Sequence, residues 1–161
     1  MNAKALLIAG GIALAVIGMA YGLWYAVFAE HQALDSIGAS LVKTFTAAAQ
    51  RDSVGSQQGL AHYREAKYAY DRQVDVHSHW LGLAMLLIII GLAADGMGYS
   101  EGRKTLIAWT LLLGSFLFPL GVLIQTFSHG PWPRAIAIAA SGMVIVALCL
   151  ASLGFLRPRP A

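Results

Sequence analysis

The chain has 161 residues, 58% of them hydrophobic and only 12% charged, with a mean hydropathy of +0.64. A soluble domain carries about a quarter charged residues, so a water-soluble globular fold is excluded. The net charge of +3 and pI near 9.2 arise from basic residues flanking apolar runs, the usual topology signal, with no basic stripe that would suit nucleic acid.

The charges are segregated. Residues 5–29, 76–94, 105–133 and 135–156 contain no Asp, Glu, Lys or Arg, and each run reaches the roughly 18 apolar residues of a spanning helix. Hydrocarbon offers the backbone no hydrogen-bond partner, so such runs must be helical. The expected fold is all-α, an integral membrane four-helix bundle with spans near residues 5–29, 76–95, 105–128 and 135–156.

Lys4 precedes the first run, and Val27-Phe28-Ala29 resembles a signal cleavage site. The run exceeds the roughly 7–15 residues of a signal h-region, so residues 1–29 read as a retained signal-anchor helix. Residues 30–75 are too polar for the bilayer and too long for a simple loop. Leu34, Ile37, Leu41 and Phe45 recur at helical spacing, so the first helix is expected to continue outward through Gln50. The Gly-Ser-Gln-Gln-Gly run at 55–59 reads as a turn, and a second helix over about residues 60–74 is expected to return into span 2. Residues 30–75 thus form an extramembrane helical hairpin, and residues 76–161 hold spans 2–4.

Gly96, Gly98 and Gly102 punctuate the short link between spans 2 and 3, while Gly130, Pro131 and Pro133 separate spans 3 and 4. Trp24, Tyr25, Trp80 and Trp132 are expected at one membrane interface, with Tyr99 and Trp109 at the other. Gly18 with Gly22, Ala135 with Ala139, and Ala147 with Ala151 carry small-residue spacing for helix packing. Pro119 should kink span 3, with Ser115 or a neighbouring helix satisfying the freed carbonyl. The single cysteine, Cys149, is expected to pack as a small hydrophobe.

Lys4, Arg103, Lys104, Arg157 and Arg159 fall on one side of this topology. Arg134 is the basic residue of the short loop opposite, and the hairpin adds five more. Weighting short loops and termini places both termini in the cytoplasm of a bacterial-type inner membrane, with residues 30–75 periplasmic.

The histidines carry the functional signal. His31 follows span 1, His62 lies in the hairpin, His77 and His79 open span 2, and His129 closes span 3. Alternating topology puts all of them at one end, with Glu30, Asp71 and Asp75 in the same layer. Imidazole is the commonest metal ligand and a common haem ligand, often oriented by a carboxylate. On a helix, residues two apart point about 200° apart, so His77 and His79 face different neighbours. An extended chain at 75–79 would instead let them share one metal with Asp75. His77, His79, His129 and His31 are therefore the candidate cofactor ligands, and His77, His79, Asp75 and His129 the candidate metal ligands. His62 reads as part of a solvated helix face.

The run Val76-His77-Ser78-His79-Trp80-Leu81-Gly82-Leu83-Ala84-Met85 resembles the His-x-His helix of haem–copper oxidase and nitric oxide reductase catalytic subunits. In that family the two histidines bind two different haems. It is still more similar to small uncharacterised multi-span membrane proteins with an Ala-His-x-His helix start. Those share a basic start to the next helix, here Arg103-Lys104, and a small-residue helix, here Ala140-Ser141-Gly142-Met143. The likeness covers roughly residues 75–155, and His77 and His79 alone carry over as candidate ligands. No copper-site histidine motif and no His-Pro-Glu-Val-Tyr-like run accompanies them, and the helices are too few for an oxidase core. The resemblance thus implies a haem- or metal-binding module.

The leading expectation is a small membrane protein holding haem b, copper or zinc at its outer face. Its role would be electron transfer, with quinol or a redox protein as partner, or metal handling. The alternative is a non-catalytic accessory subunit of a larger, for example respiratory, membrane complex, or a homo-oligomer. No nucleophile–base pair can be placed for hydrolysis, and the spans lack the ionisable residues that mark ion pathways.

Overall fold

The computed structural model describes residues 2–128 and 130–158. Its regular structure comprises α1 (Ala3–Phe28), α2 (Glu30–Ala49), α3 (Ser53–Ala93), a 3-10 turn (Ala94–Gly96), α4 (Glu101–Ile124) and α5 (Pro131–Phe155). Helices α1, α3, α4 and α5 are each long and apolar enough to cross a membrane. The chain is an all-α, multi-pass bundle, as its composition requires.

Helix α3 runs unbroken for 41 residues. At about 1.5 Å per residue it is about twice as long as the roughly 30 Å hydrocarbon layer. Its second half, from Val76, is the apolar span, and its first half stands beyond the membrane with α2 packed against it. This is the expected hairpin, with two changes in detail. Helix α1 does not continue smoothly to Gln50. It breaks at the single residue Ala29 (φ −121°, ψ −35°), although Ala29 N–H still bonds Tyr25 O and Ala33 N–H bonds Ala29 O.

The turn is also displaced. It lies at residues 50–52, and the glycines at 55 and 59 sit inside α3. Arg51 takes the left-handed conformation (φ 59°). Its N–H reaches Ala48 O at 3.0 Å, and Asp52 N–H reaches Ala47 O at 2.9 Å. These are the paired bonds of a Schellman helix end, which satisfy carbonyls that would otherwise be orphaned. Asp52 then caps α3, accepting Gly55 N–H on Oδ1 at 3.0 Å. Two complementary caps outweigh the glycine spacing. Gly59 serves packing instead, since a Cβ there would stand 3.0 Å from the backbone N and Cα of Thr44 on α2.

This turn makes a prediction of opposite signs. Arg51→Gly removes a left-handed penalty of about 1–2 kcal/mol and raises the thermal midpoint. Asp52→Ala loses the cap, costs about 1 kcal/mol and lowers it. Hydrogen exchange at α2 and α3 amides near the turn should follow the same order.

Small residues set the seams of the bundle. Leu7, Gly11, Leu14, Gly18 and Tyr25 of α1 are buried, as are Val76, Trp80, Ala84, Leu87 and Gly91 of α3. A Cβ on Gly11 would stand 2.9 Å from Ala84 O, and one on Gly91 would stand 2.9 Å from Ile8 Cγ1. Between α4 and α5, Gly114 meets Ala140 and Val144, while Gly121 meets Ala137. Ala147 and Ala151 are buried in this seam as expected, but Ala135 and Ala139 face outward. Their place is taken by Ala137 and Ala140, a different stripe of the same helix.

Three further expectations change. Ser115 Oγ is buried with no hydrogen-bond partner among the described residues, so it does not satisfy the carbonyl freed by Pro119. Cys149 is exposed and points away from the bundle, so it is not part of the packing. Tyr99 is buried, donating its hydroxyl to Leu150 O at 3.2 Å, where an interfacial position was expected. Trp109 does stay exposed.

The terminal end of the bundle is tied together by Lys4–Asp95 at 2.6 Å and by Ala3 N–H to Glu101 Oε1 at 2.7 Å. Gly98 N–H also reaches Gly154 O at 2.8 Å. Helix α4 therefore starts at Glu101 and ends at Ile124, about four residues before each predicted limit. Helix α5 starts at Pro131, since proline fits a first helical turn whose N–H groups have no partner.

Candidate functional site

At the hairpin end of the bundle, α3 presents His77 and His79 to different neighbours. His77 turns toward α1, with Nδ1 2.9 Å from Gly18 O. Its ring fills the space that Gly22 leaves, and any Cβ at position 22 would run into the imidazole. A carbonyl can only accept, so Nδ1 is the donor in this contact and Nε2 is left for another partner. His79 turns toward α4 and lies against Phe118, with ring centroids 4.7 Å apart and planes tilted by 45°.

The remaining candidates disperse. His31 is 86% exposed in the first turn of α2 and pairs with Asp35 at 3.4 Å. His62 is exposed on the hairpin part of α3. His129 lies outside the described residues. Asp75 is one turn before His79, which places the two on one face of α3, and it pairs with Arg72 at 3.5 Å. The backbone at 75–79 is helical, so His77 points away from that face and the extended arrangement does not form. Among the described residues no three His, Cys, Asp or Glu side chains come together to hold a metal ion.

An aromatic cluster supports His77 along the α1–α3 seam. Tyr21 meets Trp80 edge to face at 5.5 Å, and Tyr25 lies 6.4 Å from Tyr70. Tyr21 donates to Gln73 Oε1 at 3.3 Å and Tyr70 to Glu30 Oε1 at 3.4 Å. Tyr25 and Trp80 are therefore buried in the seam at this end of the spans. The seam of glycines draws α1 close enough to cover them. Trp24 and Trp132 remain exposed as expected.

Beyond the span, Lys67 donates to both carboxylate oxygens of Asp71 at 2.9 and 2.8 Å. That hydrogen bond raises the Lys67 pKa above the ordinary lysine value. A raised basic pKa means the pairing is in place below the ordinary lysine pKa and is lost only as pH climbs through the raised one. On so exposed a pair the effect is small.

The sequence reading missed a second group at this end. Arg64, Glu65 and Tyr68 on α3 face Gln125, Gly130 and Arg134 across a cleft of about 460 Å³. Gln125 gave the one available signal, an amide at the end of an apolar run. The pairing of Arg64 with Arg134, 70 positions apart, had none.

Fold and site together define an all-α membrane protein with a projecting helical hairpin. Compared with protein families, curated proteins and solved structures, the chain finds no match in any of the three.

Proposed function

We propose that this protein is a non-catalytic subunit of a larger membrane complex, and that its hairpin docks on a partner anchored in the same membrane. One observation carries the reading. Leu34, Val42 and Phe45 of α2 are 47%, 66% and 69% exposed, and helical geometry sets them on one face. Gly38 lies in the same stripe with nothing within 4 Å of a Cβ there, which leaves room for a second helix to approach closely. Exposed apolar residues on the spans are covered by lipid, whereas this stripe stands beyond the apolar part of the fold. A contiguous apolar patch in that position marks a protein contact. Because α2 starts one residue after α1, the partner must stand beside the bundle at the membrane surface. In this reading both termini are cytoplasmic and the hairpin is periplasmic, in a bacterial-type inner membrane, a placement that the basic residues of the termini and short loops support.

The test is the size and composition of the complex extracted gently from native membranes. Wild type should run well above its own mass together with a different membrane protein, and Val42→Asp/Phe45→Asp should run as a monomer with unchanged helix content. A wild-type monomer, or an assembly holding only copies of this chain, overturns the reading.

A second reading keeps the histidines as ligands of haem b or a copper or zinc ion. It is favoured by the Nδ1 contact of His77 to a backbone carbonyl, the arrangement in which a metal-ligating histidine offers Nε2. His79 with Asp75 would form a separate pair of donors on the opposite face. An absorption spectrum and metal analysis of gently purified protein decide it. Neither a Soret band nor bound metal would dispose of it.

A further inference from the structure

We propose that the cleft between α3 and the α4–α5 connection binds a phosphate group at the membrane surface, carried by a phospholipid head. Clefts along the spans are walled by apolar side chains, such as Leu14, Ile17 and Phe116 in one and Ile12, Val16 and Ile88 in another. This one is walled by Arg64, Arg134, Glu65, Tyr68 and Gln125. Two guanidinium groups against one carboxylate leave the cleft with a net positive charge. Neither Arg64 nor Arg134 makes an ion pair or hydrogen bond among the described residues.

The cleft floor is built. Gln125 is only 8% exposed. Its Nε2 donates to Gly121 O at 3.2 Å, and its Oε1 accepts the Tyr68 hydroxyl at 3.4 Å. The first bond holds the amide against its own helix, and the second ties α3 to the end of α4 at the floor of the cleft that both arginines line. The planar fork of an arginine matches two phosphate oxygens, and such charge-assisted bonds are about twice as strong as neutral ones.

The level of the cleft points to the source of the phosphate. Gln125 is the first residue past α4, and Arg134 lies in the first turn of α5. The cleft therefore opens where both helices leave the apolar layer. Phe127 and Trp132 beside it are 80% and 52% exposed, as suits residues that anchor at the headgroup boundary. A phosphodiester in this layer reaches the arginines while its acyl chains remain beside α4 and α5.

The experiment uses the full chain in neutral detergent and follows thermal midpoint and native mass against three probes. These are phosphatidylglycerol, diacylglycerol with the same acyl chains, and inorganic phosphate. Wild type should retain phosphatidylglycerol through delipidation and gain midpoint from it. Diacylglycerol should do neither. Arg64→Gln/Arg134→Gln should weaken retention by about a hundredfold or more, the loss of at least one charge-assisted bond from each arginine, while Arg72→Gln keeps it. Stabilisation by phosphatidylglycerol without any by inorganic phosphate supports the lipid source. Equal stabilisation by inorganic phosphate keeps the phosphate site and overturns the lipid source. Diacylglycerol matching phosphatidylglycerol, or retention unchanged in the double variant, overturns the site. If the double variant does not fold, Arg64→Lys and Arg134→Lys replace it. Each keeps the charge and loses the fork, so each must weaken retention for the proposal to stand.

Discussion

Gly121→Leu should separate α4 from α5 and give a large loss of stability. A Cβ at position 121 would lie 2.8 Å from the backbone N of Ala137 and 3.1 Å from its Cα. Flexible side chains can swing away from an intruder, but the backbone of a helix cannot. Overpacking a well-filled core costs about 1–3 kcal/mol, and contact with a facing backbone belongs at the upper end, about 3 kcal/mol. Gly82 and Gly142 supply the controls, because a Cβ at either meets nothing within 4 Å. Alanine there should be neutral, or stabilising by up to about 1 kcal/mol through helix propensity. Denaturant midpoints in detergent check the series. Equal losses at positions 121 and 142 would show that the α4–α5 seam does not depend on glycine.

The second large effect is at the His77 pocket. Gly22→Ala places a methyl group where the imidazole now lies, so α1 must move off α3 or His77 must leave the Gly18 carbonyl. A loss of about 2 kcal/mol is expected. His77→Ala empties the same space and removes the contact to Gly18, at a similar cost. If His77 is held mainly by this pocket, the added methyl fills part of the vacated volume. The double variant should then be more stable than the sum of the single losses by about 1 kcal/mol or more. Measured on protein free of haem and metal, additive losses would show that the glycine and the histidine are not coupled.

The histidines show how far the sequence reading reached. The spacing of His77 and His79 was enough to place them on different helix faces, because two steps of an α-helix turn about 200°. It could not name the faces. That His77 meets Gly18 and Gly22, and His79 meets Phe118, depends on how α3 is rotated against α1 and α4. The placement of His31 failed for a similar reason. Its position just after span 1 suggested a role opposite His77, but the break at Ala29 starts a new helix on which His31 points to solvent. The turn at 50–52 was hidden because its left-handed residue is arginine, where glycine or asparagine is the usual signal. The buried positions of Tyr25, Trp80 and Tyr99 were hidden because an aromatic residue near a span end suits either an interface or a seam.

What the sequence determined by itself was the set of four spans, their order, and a helical segment standing outside them. Hydrocarbon forces that result, since a charge-free run of such length has no other way to satisfy its backbone. What only the tertiary structure decided was which small residues form seams, which aromatics they bury, and which distant arginines share a cleft. Inside a membrane one apolar helix face is as hydrophobic as another. The choice among faces therefore falls to close packing, with Gly11, Gly18 and Gly22 admitting α3 and Gly114 and Gly121 admitting α5. Such fits are made between residues far apart in the chain, and no local pattern records them.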